Sequence, residues 1–189
     1  MHGLLLVVLP GAVATNASNS FQSAVSRPMS AGVYYANLTL LTQDGGYVYV
    51  GVVGAGHDAV GGLHAHYSVE GWLLGTGGGA LTHANSFSNW EGMPLVGEVK
   101  AGDVVGLMLD LGQRTLSVYL NGSRRGVMVA PGMKAEDGEA VGELSAPLRW
   151  AVDVAGGASV RIEHGPRPPP PTEAEVAAAV AWNDTNYRG

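Results

Sequence analysis

The stretch from Val99 to Val129 reads VKAGDVVGLMLDLGQRTLSVYLNGSRRGVMV, and it commits this chain to antiparallel sheet. Val105, Leu107 and Leu109 fall on one side of an extended backbone, because side chains of a strand alternate with period two. Leu116, Val118 and Leu120 repeat the pattern, with Thr115, Ser117 and Tyr119 opposite. That alternation is the period of a half-buried strand, not of a helix. Asn121-Gly122 is a strong short-hairpin signal, since a type I′ turn needs positive φ at both central residues. Gly112 suits the hairpin loop Asp110–Arg114, and Gly102-Asp103 marks the turn before. Three consecutive strands are therefore predicted here.

The remainder of the chain extends this reading. With 189 residues it suits one domain with a proper core. Its 29 glycines follow no period and sit between apolar runs, as in an all-β protein full of turns. The net charge is −6 and no basic run exists to track phosphates, so no nucleic-acid partner is expected. The absence of cysteine excludes disulfides, thiolate zinc sites and cysteine nucleophiles. It is compatible with the cytoplasm, which is the expected location. The apolar run Leu4–Leu9 is read as a first strand ending at Pro10-Gly11. Met1-His2-Gly3 carries no Lys or Arg, so a secretory leader is the lesser alternative. No run approaches the length of a membrane span.

Along the chain, strands are predicted at Val33–Leu41 and Tyr47–Val53, and a glycine-rich loop follows. Short strands are expected at His64–Val69 and Gly71–Leu74, with a return at Ala80–His83. Asn85–Pro94 reads as irregular, and Lys134–Gly142 as an acidic, solvated loop. Trp150–Val154, Gly156-Gly157 and Ser159–Ile162 form a closing hairpin. Pro166–Pro171 holds five prolines in six residues and favours an extended polyproline segment. Thr172 then caps a short helix with Glu173 and Glu175 in its first turn, docked through Val176, Val180 and Trp182.

The order Gly-Asp-x-Val-Gly, Leu-Asp, Thr-Leu-Ser, Asn-Gly resembles the SPRY domain family. Met29–Tyr35 looks like that family's opening Gly-x-x-Tyr strand, and Val50-Gly51-Val52 like its Val-Gly-Val strand. Glu70-Gly71-Trp72 followed by Gly79–His83 is similar to its aromatic–glycine hairpin. Departures mark a divergent member: Trp150 stands where the family has proline, and Glu163-His164-Gly165 where it has Asn-Phe-Gly. The resemblance implies an all-β sandwich of two antiparallel sheets, concanavalin-like, over residues 28–165. Residues 1–27 form a strand and polar segment packing on it, and 166–189 a proline-rich linker and short helix.

The same resemblance implies a non-catalytic module that binds a peptide or protein through loops at one edge. The expected edge comprises Ser26–Pro28, Ala55–Leu63 and the turn Val154–Gly157. Arg27, His57, Asp58 and Asp153 are the expected contacts: Arg27 for an acidic group, the aspartates for peptide donors. Trp90, an aromatic on a loop, is the expected hydrophobic anchor. The alternative is a lectin-like sandwich using Asp58, Asn85, Asn89 and Trp90. No metal or other cofactor is expected: His64 and His66 share a strand face near His57 and His83, but no carboxylate sits at a matching offset. Catalysis is not expected, because Gly75–Gly79 lacks the Lys-Ser/Thr of a P-loop and no Gly-x-Ser-x-Gly occurs.

Overall fold

The computed structural model describes residues 11–43, 46–59, 63–96 and 98–187. The expected first strand at Leu4–Leu9 lies outside the described residues. Twelve strands are present among the described residues: β1 (Val13–Thr15), β2 (Gln22–Val25), β3 (Val33–Thr42), β4 (Tyr47–Gly54), β5 (Gly71–Gly75), β6 (Leu81–His83), β7 (Ser86–Ser88), β8 (Val104–Asp110), β9 (Thr115–Leu120), β10 (Ser123–Val129), β11 (Leu148–Ala155) and β12 (Ser159–Glu163). Two helices join them, the single turn α1 (Met93–Val96) and α2 (Glu173–Asn186). One sheet has the order β1-β12-β3-β8-β9-β10 and the other β2-β11-β4-β5-β6-β7, all pairs being antiparallel.

The core lies between the sheets and follows the alternation. Ala36, Leu38 and Leu40 of β3, Val105, Leu107 and Leu109 of β8, and Leu116, Val118 and Leu120 of β9 face inward. Val48, Val50 and Val52 of β4 and Trp150, Val152 and Val154 of β11 meet them from the other sheet. Each fully buried Leu or Val contributes roughly 1.5–3 kcal/mol.

Turn chemistry sets the registers. Asn121 (φ 52°) and Gly122 (φ 80°) are both left-handed, as the hairpin from β9 to β10 requires. In the hairpin before it the left-handed residue is Arg114 (φ 55°), not Gly112. Asp110 is the organiser there, its Oδ1 accepting from the backbone N–H of Gly112 (2.8 Å) and Gln113 (3.0 Å). β10 shifts register between Arg124 and Gly126 and again between Val127 and Val129.

Three local expectations are corrected. His64–Val69 is not a strand but carries a 3₁₀ turn at Ala65–Tyr67. Asn85–Pro94 is not wholly irregular, since it holds β7 and the start of α1. The base of the 134–142 loop is not solvated: Ala135 and Val141 are buried, and the Trp72 indole donates to the Val141 carbonyl at 2.7 Å.

The helix begins where the sequence places it. The Thr172 hydroxyl accepts from the Glu175 N–H while the Glu175 carboxylate accepts from the Thr172 N–H, a reciprocal cap. Val176 and Val180 pack against the core, and Ala179 is buried. The tail lies beside β10, where Arg124 pairs with Glu175 and the Tyr119 hydroxyl donates to the Pro169 carbonyl (3.1 Å).

Candidate functional site

The register of β11 against β4 decides which loops lie together. Leu148 pairs with Gly54, and Ala155 pairs with Tyr47. The loop that leaves Gly54 is therefore at the Leu148 end. So is the segment after β2, where the Ser26 N–H donates to the Trp150 carbonyl and Met29 bridges Leu148. The turn Val154–Gly157 leaves from the opposite end. The three segments expected at one edge are thus not together: the Val154–Gly157 turn is at the end opposite Ser26–Pro28 and the start of the loop after Gly54.

At this end Arg27 and Asp58 are exposed. His57 lies behind them, 8 % exposed, and its buried Nε2 has no hydrogen-bond partner. Burial holds the His57 imidazole below its ordinary value of 6.5, and Arg149 lowers it further against the opposing pull of Asp153, Asp58 and Glu70. Arg149 of β11 is half-buried, and its buried Nε also has no hydrogen-bond partner. Beside this group a cleft of about 420 Å³ opens between the Gly54–Gly56 turn, Val69-Glu70, Trp72 and Gly142–Leu148.

Asp153 is corrected from a loop contact to a buried side chain, with no exposed surface. It sits opposite the core-facing Val152 and Val154, so it points to the outer face of its sheet. The 3₁₀ turn at Ala65–Tyr67 lies over that face and covers it. Asp153 accepts from Ser23 Oγ at 2.5 Å, from the His66 N–H at 2.9 Å, and contacts His66 Nδ1 at 2.6 Å. Ser23 Oγ in turn accepts from the Ala65 N–H at 3.2 Å. A buried carboxylate is tolerated only when its acceptor sites are filled in this way.

The residues are Ser, His and Asp, but the arrangement is not that of an activated nucleophile. Ser23 donates to the carboxylate, and the imidazole is on the far side of that carboxylate rather than placed to take the serine proton. What the network does is pin the 3₁₀ turn. Gly71 makes room for that turn, since a Cβ there would stand 2.0 Å from the Ala65 carbonyl oxygen. Around the pin the His66 ring stacks on Tyr49 (4.3 Å, 8°) and on His64 (5.8 Å, 7°), with Phe21 edge-on (4.6 Å).

The histidines do not converge. His83 stacks on Trp72 and its Nδ1 lies 2.8 Å from the Gly71 carbonyl oxygen, while His66 is committed to Asp153. The described residues contain no group of three or more His, Asp or Glu that could hold a metal ion. Trp90, expected as an exposed anchor, is corrected to a core residue: it is 2 % exposed and its indole N–H donates to the Gly79 carbonyl. The sugar-binding set loses its platform by the same fact. Asn85 lies in the turn between β6 and β7, and Asn89 is bonded through its backbone to the Tyr187 hydroxyl.

Sequence reasoning missed Ser23 and Arg149, and weighed His66 only as a metal ligand. Ser23 and Asp153 are 130 positions apart, and no local pattern links them. Arg149 had a signal: it alternates with the inward Leu148 and Trp150 and so belongs to the outer face.

No family model matches the sequence, and no curated protein does. Solved structures do match. The SPRY domain of human HERC1, a crystal structure, superposes with a TM-score of 0.64 over 86 % of this chain and 94 % of that one, at 18 % identity. This chain has the SPRY fold. The likeness is one of fold. Within that sandwich the turn at Ala65–Tyr67 is laid over an outer sheet face and locked from beneath. No helix among the described residues is long and apolar enough to cross a membrane.

Proposed function

We propose that this SPRY-fold chain is a non-catalytic binding module that takes a peptide or protein surface at the Leu148 end of its sandwich. The observation that supports it is the convergence there of exposed Arg27 with two buried side-chain nitrogens that lack hydrogen-bond partners, His57 Nε2 and Arg149 Nε. A buried polar nitrogen without a partner costs free energy, about 1–3 kcal/mol, so a rearrangement of this end that satisfies either one on binding is favoured. The adjoining cleft offers apolar walls at Val69, Trp72 and Pro147 with Glu70 and Glu143 among them, a lining that suits a peptide chain. Asp58, exposed on the same loop, completes the proposed contact set.

The test is affinity capture with three forms of the domain: wild type, Arg27→Glu, and Tyr47→Ser at the opposite end. A discrete protein retained by wild type and by the Tyr47 variant, and lost with Arg27→Glu, is the expected result. Circular dichroism verifies that each variant is folded. Retention undiminished by Arg27→Glu would remove the loop end from consideration. Retention of glycoproteins eluted by free sugar would replace the proposal with the carbohydrate-binding reading.

A further inference from the structure

A second cleft, of about 410 Å³, lies between the last turn of α2 and the tip of the 134–142 loop. Asn89, Glu136, Asp137, Gly138, Trp182, Asn186 and Tyr187 line it, and none of these lines the cleft at the Leu148 end. We propose that it receives an arginine or lysine side chain of a basic partner peptide.

Its wall is an aromatic corner. The rings of Trp182 and Tyr187 stand at 82° with centroids 6.4 Å apart. A cation is attracted to the face of such rings by their quadrupole, and to indole most of all. The corner is fixed before any ligand arrives. The Tyr187 hydroxyl donates to the Asn89 carbonyl (3.1 Å) and accepts from the Asn89 N–H (2.7 Å). One turn back, the buried Asn183 accepts from the Lys134 N–H (2.7 Å) and donates to the Lys134 carbonyl (2.8 Å), which ties helix and loop together.

The electrostatics select the sign of the occupant. Glu136 and Asp137 stand on the loop side, and burial together with the nearby Glu136 charge raises the Tyr187 phenol above its ordinary value. The helix presents its carbonyl end, and no basic side chain in its last turn offsets that partial negative charge. No lysine or arginine among the described residues lines the cleft. Its volume exceeds what one side chain needs, so flanking backbone of the peptide is accommodated with the cationic group. Among the described lining residues the two carboxylates and the carbonyl end have no counter-charge, and a neutral peptide would supply none.

The probes are three short peptides, Gly-Ser-Gly-Xaa-Gly-Ser-Gly with Xaa as arginine, lysine or glutamine, titrated into the ¹⁵N-labelled domain. Saturable shifts of the Trp182 indole N–H and of the Gly138 and Asn186 amides are expected with arginine and lysine. The glutamine peptide is expected to bind about ten-fold more weakly or not at all. The double variant Glu136→Gln, Asp137→Asn should weaken the arginine peptide about five-fold or more, and Trp182→Leu, which keeps apolar bulk without the indole face, should weaken it as well. Equal shifts with glutamine, shifts confined to Arg27 and His57, or an affinity indifferent to the carboxamide substitutions would each overturn the proposal. Because the readout names residues, loss of this site and loss of the loop-end site are seen separately.

Discussion

Two segments lie against the outside of this sandwich, and they are held by opposite means. The 63–69 segment is locked by a carboxylate with no exposed surface, whose donors come from Ser23 and His66. The tail from Pro166 to Tyr187 is held by a surface ion pair, Arg124 with Glu175, and by side-chain bonds to loop backbone from Asn183 and Tyr187. Both use charge and hydrogen bonds, but the ion pair at the helix is reached by water and the one beneath the turn is not. The lesson is that the same chemistry is strong or weak according to what surrounds it. Removing one partner beneath the turn strands several buried donors, whereas removing one member of the exposed pair lets water replace it.

The largest effect is therefore expected from Asp153→Ala, about 3–5 kcal/mol in denaturant unfolding, with Asp153→Asn retaining part of it. A loss below about 1 kcal/mol would make the buried lock no stronger than an exposed pair and would erase the contrast. Gly71→Ala comes next. Its Cβ would collide with the Ala65 carbonyl oxygen at 2.0 Å, and a cost of about 1–3 kcal/mol is expected. Hydrogen exchange should rise across 63–69 and not in α2.

Asn183→Ala should cost about 1–2 kcal/mol and speed exchange in α2 while leaving the 63–69 segment protected. An effect on both segments would mean that they are coupled through the core. The smallest effect is expected from Glu175→Gln. The Arg124 guanidinium and the Thr172 cap hold the Glu175 carboxyl at about 2, below its ordinary 4.5. A carboxyl depressed on folding contributes fully above the unfolded value and loses that contribution as pH falls toward the folded one. Helix docking, followed by Trp182 fluorescence, should thus be constant above pH 4.5 and weaken between 4.5 and about 2. The Gln variant should lack that dependence.

What was legible in the sequence was whatever is written locally. The alternation through Val105–Leu109 and Leu116–Leu120, the Asn121-Gly122 turn and the Thr172 cap each need only neighbouring residues to act. Arg114 taking the left-handed position in place of Gly112 shows how far local reading reaches: the Asp110 carboxylate, bonded to two successive amides, chose the turn. Asp153 reads as a loop contact in the sequence, although its alternation with Val152 and Val154 puts it on the outer face. Nothing local signals that the turn at Ala65–Tyr67 lies over that face and buries it. His64–Val69 was read as a strand for the same reason, since its 3₁₀ turn is fixed by Ser23 and Asp153 from other strands. Trp90 sits between a short strand and a single helical turn, where no periodicity tells inside from outside.

The rims of the two sheets carry a consequence for assembly. Three of the four outermost strands are only three or four residues long, β1, β2 and β7. The fourth, β10, is longer but breaks register twice and has α2 beside it. An unbroken, open rim would template a strand from any neighbouring chain. Among the described residues a neighbouring chain meets no long, unbroken rim to extend. Such rims disfavour edge-to-edge pairing and leave recognition to loops and side chains.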